Sequence, residues 1–156
     1  ENISVNTLVN IKSKKKDEIF DEAKLELRVS NGKISFDNSV FINNSFGLIE
    51  ISNSDLSLEN DRLILKANLS LDIKNTDELF SFLNTSKSSR KDIKNIKLNI
   101  IYDFLSNEIV FRNIKIDNNE VSDQFLNIAE GFNDNNSNNL TKSRRILNEL
   151  IDLYEG

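Results

Sequence analysis

The sequence contains neither cysteine nor histidine. Without thiolate or imidazole it cannot form the usual zinc or iron–sulfur sites, a Cys nucleophile, or a triad whose base is a histidine. A disulfide framework is excluded as well, which leaves cytoplasm and bacterial periplasm equally open. Methionine is also absent. Residue 1 is therefore expected not to be a translation start, and the chain reads as a segment of a longer or processed precursor. There is no proline, and the four glycines are isolated, so no glycine-rich phosphate loop can form. An acidic calcium-loop spacing is missing too. No apolar run approaches the roughly 20 residues of a membrane-spanning helix.

With so little Gly and Pro, turns have to be made by other residues. Asn, Lys, Ile and Ser are plentiful, the bias of an AT-rich genome, and Asn and Asp tolerate the left-handed backbone that tight turns require. The chain has 156 residues, 38% of them hydrophobic and 29% charged, and a formal net charge of −5. That is enough for one domain with a core of its own. A nucleic-acid partner would call for a basic surface, and none is expected.

The dominant pattern is period-two alternation, the mark of half-buried strands. Ile3, Val5, Val9 and Ile11 form a first series. After the basic run Lys14-Lys15-Lys16 a second follows at Leu25, Leu27 and Val29. Asn31-Gly32, flanked by alternating residues on both sides, predicts a tight hairpin turn. Further strands are expected at 40–42, at 46–51 after a turn at Asn43-Asn44, and at Leu56 and Leu58 before Asn60-Asp61.

The clearest strand spans 63–73, with Leu63, Leu65, Ala67, Leu69, Leu71 and Ile73 on one side and polar residues mostly on the other. At ~3.3 Å per residue it would be about 35 Å long. A second long strand carries Ile96, Leu98, Ile100, Tyr102 and Phe104, then turns at Ser106-Asn107 into 109–116. One apolar and one polar face per strand predicts an antiparallel sheet solvated on one side.

Three segments change period. Asn75-Thr76-Asp77-Glu78 has the cap and early carboxylates of a helix start, so a short helix at about 76–83 is expected to carry Leu79, Phe80 and Leu83. Val121, Phe125, Ile128, Ala129 and Phe132 follow helical spacing, as do Ile146, Leu147, Leu150, Ile151 and Tyr154 behind a Thr141 cap. An Asn/Asp/Ser-rich linker at 133–139 joins them. The expected fold is mainly β (α+β): an antiparallel meander at 1–118 with one inserted helix, and a C-terminal helical hairpin at 119–156.

Candidate chemistry is sparse. The acidic residues fall on polar strand sides or in turns, which marks them as solvated rather than as a catalytic pair. Basic clusters at 12–16, at Arg90-Lys91 with Lys94 and Lys97, and at Arg144-Arg145 suit solvated loops better than lipid or phosphate contacts. Phe36, Phe41, Phe104 and Phe111 sit in alternating strands and read as core rather than as base-stacking platforms. No catalytic residue, cofactor or metal is expected. The candidate functional surface is the apolar row of the two long strands: Leu63, Leu65, Ala67, Leu69, Leu71 and Ile73, with Ile96, Leu98, Ile100, Tyr102 and Phe104.

The stretches 25–37 (LELRVSNGKISFD), 47–51 (GLIEI) and 62–71 (RLILKANLSL) together resemble the C-terminal region of AsmA-like proteins, in which short alternating hairpins repeat along the chain. The insert at 77–83 is similar to the short helix such proteins place between late strands. The resemblance covers roughly residues 20–116 and rests on alternation rather than on fixed catalytic residues. It implies a β-rich body on the periplasmic side of the bacterial inner membrane, anchored through a helix outside this segment. It also implies a part in outer-membrane integrity, with phospholipid acyl chains passing along an apolar groove made by the rows above. The C-terminal helical hairpin has no counterpart in the pattern. A protein-interaction or scaffold module, whose sheet is ordinary core, is the alternative.

Overall fold

The computed structural model describes residues 4–13, 19–30, 32–133 and 140–154. Ile3, Lys14-Lys15-Lys16, Asn31 and linker residues 134–139 lie outside the described residues. Among the described residues nine strands form one antiparallel sheet. They are β1 (Ser4–Lys12), β2 (Glu22–Ser30), β3 (Lys33–Ser35), β4 (Val40–Asn43), β5 (Gly47–Glu59), β6 (Arg62–Ile73), β7 (Asn95–Asp103), β8 (Glu108–Ile116) and β9 (Asn119–Glu120). Helix α1 (Thr76–Leu83) lies between β6 and β7, and α2 (Asp123–Ala129) and α3 (Leu140–Leu153) follow β9.

The meander expected from alternation is present, and sheet order follows chain order with one exception. β3 and β4 share a single place between β2 and β5, each pairing with both. The break between them is held by polar side chains. Ser54 N and Oγ both donate to Asp37 Oδ1, at 2.6 and 2.8 Å, and Phe36 N donates to Ser54 Oγ at 2.6 Å. Ser39, fully buried, accepts from Glu26 N at 2.9 Å. A bulge in β5 between Ser52 and Asp55, with Asn53 at φ 47°, lies at the same level. A bulge adds a residue to one strand and bends it.

Every described non-glycine residue with positive φ is Asn or Asp. Asn60-Asp61 (φ 50° and 62°) and Asp117-Asn118 (φ 49° and 68°) have two consecutive left-handed residues, the signature of the hairpin turn whose twist matches that of its strands. Asn and Asp adopt this backbone because their short side chains bond locally to the main chain. The β2–β3 hairpin pairs Ser30 with Lys33 around residues 31–32, and Gly32 has φ 75°.

Helix α1 has the expected cap: Asn75 Oδ1 accepts from Glu78 N at 3.2 Å, and Asn84 closes the other end in the left-handed region. Two C-terminal boundaries differ from expectation. Ser122 caps α2, so Val121 lies outside the helix, although it still packs on the core. Thr141 lies inside α3 rather than capping it. Helix ends commonly shift by a residue or two from the position a cap residue suggests.

Two structural tests follow. A Cβ on Gly47, at the start of β5, would stand 2.1 Å from the Asp72 carbonyl oxygen on β6. Gly47→Ala should therefore cost more than about 3 kcal/mol, beyond ordinary overpacking. Gly32→Ala, which meets open space, should cost only the ~1–2 kcal/mol of a left-handed alanine. Urea denaturation of both variants checks this.

The second test is acid stability. Burial pushes the Asp37 carboxyl upward, but hydrogen bonds from Ser54 and Ser35 outweigh it and leave the carboxyl below its ordinary value of 3.8. Asp103 is likewise raised by burial and lowered further by the Leu105 and Ser106 amides and by Arg62, with the same net direction. A carboxyl depressed in the folded state stabilises above its unfolded value and loses that contribution as pH falls through its folded one. Stability should therefore hold from neutral pH down to about 4 and fall below it, and Ser54→Ala should flatten the Asp37 part of that fall.

Candidate functional site: an apolar sheet face covered at one end

Antiparallel register places the apolar side chains of neighbouring strands directly opposite one another, so they form rungs across the sheet. One rung is Ile49, Leu71, Ile96 and Ile116, and the next is Ile51, Leu69 and Leu98. Ala67, Ile100 and Phe111 form a third. Beyond it come Leu56, Leu65, Tyr102 and Ile109, then Leu58 with Leu63. The face continues over β1 and β2, where Val5 opposes Val29, Val9 opposes Leu25 and Ile11 opposes Ala23.

The helices cover only one end of this face, and the topology dictates which. Residues 74–94, which carry α1, leave β6 at the end where β7 begins, and β8 returns to that same end before β9, α2 and α3. Both helical excursions therefore stack over the first rungs. Phe80, Leu83, Phe125, Ile146 and Leu150 join Ile114 and Ile116 in one buried cluster, which crosses the boundary at residue 118. Ile73, Ile96, Leu98 and Phe111 pack against it. Towards the opposite end cover is lost: Ala67 is 3% exposed, Leu63 40% and Leu58 69%. Phe104, expected in the core, is 49% exposed, because β7 ends at Asp103 and the side chain lies in the hairpin turn, edge-on to Tyr102 at 4.7 Å. Leu65, Ile100 and Tyr102 are half-buried.

Between the sheet and the helices lies a pocket of about 340 Å³. Leu69, Leu71, Ile96 and Leu98 form its floor, α1 and Phe46 one wall, and Phe125, Leu147 and Ile151 of α2 and α3 its cover. Apart from Ser143 and Arg144 every lining residue is apolar. Helix α3 is held against α1 by Asn148, whose Nδ2 donates to the Leu83 carbonyl at 3.0 Å and whose Oδ1 accepts from Thr85 Oγ1 at 2.5 Å. The pocket thus unites four of the eleven residues singled out from the sequence. It also includes Ile19, Phe20, Phe46, Phe132 and Arg144, which alternation could not place there. Helical periodicity marked Phe132 as a helix face, without saying against what.

Among the described residues of the basic clusters, four of seven cations pair with a carboxylate. Lys12 pairs with Glu22 at 3.5 Å, Arg90 with Asp77 at 3.4 Å, Lys94 with Asp92 at 3.6 Å and Arg145 with Glu149 at 3.7 Å. Among the described residues no cluster of acidic side chains is arranged to hold a metal, and no helix is long and apolar enough to cross a membrane. Family models, curated proteins and solved structures offer no match to this chain.

The uneven cover makes a direct prediction. Leu79 and Phe80, 8% and 1% exposed, close the pocket from α1. Changing both to Ser should lower stability by at least the roughly 3–5 kcal/mol of truncating one buried aromatic residue. Leu58→Ser at the open end should stay within about 0.5 kcal/mol of the parent. Thermal unfolding of the two variants side by side checks the contrast.

Proposed function

We propose that this chain is a non-enzymatic, AsmA-like envelope domain that contributes to outer-membrane integrity on the periplasmic side of the bacterial inner membrane. Its anchor would lie outside this segment. In this reading the apolar sheet face takes up phospholipid acyl chains, and the rungs of β5 to β8 form the path along which they move. The observation that carries the reading is the continuity of that face from a partly covered pocket to open rungs. Leu69 and Leu98 line the pocket, while Leu63 and Leu58 at the far end stand in water. A closed core would bury both ends. Leaving large apolar side chains wet forgoes about 1.5–3 kcal/mol each, which an acyl chain lying along the rungs would recover. The pocket volume falls within the range of small-molecule sites. The absence of His and Cys from the sequence supports a binding role over a catalytic one.

A second reading, a protein-interaction or scaffold module, is favoured by β1. Among the described strands it pairs only with β2, and it exposes Leu8 (66%) on one face and Val5, Val9 and Ile11 on the other. A regular edge of this kind, charged only at its terminal Lys12, is a template for another strand.

Solvent extraction of the purified chain followed by mass spectrometry tests the first reading. Co-purified phospholipid is expected on the wild type, and its loss is expected in Leu69→Arg, which sets a charge in the pocket floor. Absence of lipid from the wild type, with a folded chain that self-associates through β1, would overturn the acyl-chain reading in favour of the second.

A further inference from the structure

We propose that the covered pocket is selective for a single acyl chain bearing an anionic head, a carboxylate or a phosphate, and that Arg144 is the residue that clamps the head. The proposal rests on the acyl-chain reading above and gives it a ligand class.

Of the six arginines, Arg112 and Arg144 have no carboxylate pair among the described residues, and only Arg144 lines the pocket. Arg28, Arg62, Arg90 and Arg145 each pair with a carboxylate. The Arg144 guanidinium instead stacks over the Phe82 ring, 4.9 Å from the centroid. Its Nε is buried and has no hydrogen-bond partner among the described residues. The fold thus gives this guanidinium no acceptor, and an anion meeting its terminal Nη groups would supply one. The cation–π contact with Phe82 restrains the guanidinium at the pocket, where its fork can meet a carboxylate or phosphate at two points. Lysine could not reproduce that geometry.

The helix supplies the rest. Arg144, Leu147 and Ile151 are three and four residues apart, so they fall on one face of α3, and all three line the pocket. At 1.5 Å per residue, the cationic end of that row lies about 10 Å along the helix from Ile151. A head held at Arg144 would direct its chain along Leu147 and Ile151, over the floor of Leu69 and Leu98. A purely apolar ligand would leave the guanidinium unpaired, and a cationic amphiphile would be repelled.

Calorimetric titration of the full chain with dodecanoate, dodecyl phosphate, dodecanol and dodecyltrimethylammonium tests this. The wild type should bind one or both anions at least about tenfold more tightly than dodecanol, the margin of a charge-assisted hydrogen bond, and the cation more weakly still. R144Q should lose that preference and keep its affinity for dodecanol, while R144K should retain only part of it. Tighter binding of dodecanoate points to fatty acids, and tighter binding of dodecyl phosphate to phospholipid-derived heads. Equal affinity of the wild type for dodecanoate, dodecyl phosphate and dodecanol overturns the clamp, whether or not R144Q folds, and leaves the acyl pocket standing. An undiminished anion preference in R144Q also overturns it. Failure of the wild type to bind any of the four overturns the acyl-chain reading itself.

Discussion

Because side chains alternate faces with a period of two, a slip of one residue between β6 and β7 would carry Ile96 and Leu98 from the covered face into water. The pairing of Leu69 with Leu98 and of Leu71 with Ile96 is thus both the source of the core and the lock on the register. The pocket floor exists only in this register. Polar neighbours reinforce it from the opposite face, where Asn99 donates to Asn68 at 2.5 Å and Asn95 to the Ser70 hydroxyl at 3.1 Å.

A chain without proline and with few glycines has to turn by other means, and asparagine carries that burden. Left-handed Asn or Asp residues close the β5–β6 and β8–β9 hairpins, end α1, and sit at the β5 bulge and beside the irregularity in β8. Where a side chain cannot be tolerated at all, glycine remains: Gly47 lies against the Asp72 carbonyl so closely that no Cβ fits. Serine and aspartate do the corresponding work where β3 breaks from β4, since backbone groups that leave the ladder must still be bonded.

The helical layer gives the sheet two different ends. Over the first rungs it completes a core in which Phe80 and Ile93 are almost wholly buried, and it covers one side of the pocket. Among the described residues it does not extend over the last rungs or over β1, and the same alternation that builds the core leaves valines, leucines and isoleucines in water. Contiguous apolar surface of this kind is where interaction sites are commonly found, and the paired basic residues around it are solvated.

Much of the architecture was legible in the residues themselves. Period-two alternation located the long strands to within a residue, because side-chain direction in a strand follows directly from chain position. Asn75 announced α1 for an equally local reason, a side-chain oxygen within reach of the Glu78 amide. What alternation could not say is how far the apolar face is covered. Cover depends on which end of the sheet the connections leave from, and on how α3 packs across α1 through Asn148, contacts separated by more than sixty residues of chain. For the same reason Phe104 read as core and lies half in water, and Arg144 read as one more solvated cation and lies stacked on Phe82 at the pocket. The sequence by itself determined the strands, their two faces and their turns, since those follow from stereochemistry within a few residues. Only the tertiary structure decided which part of the apolar face is core, which is pocket and which is left open, because burial belongs to the packing of distant elements and not to any residue alone.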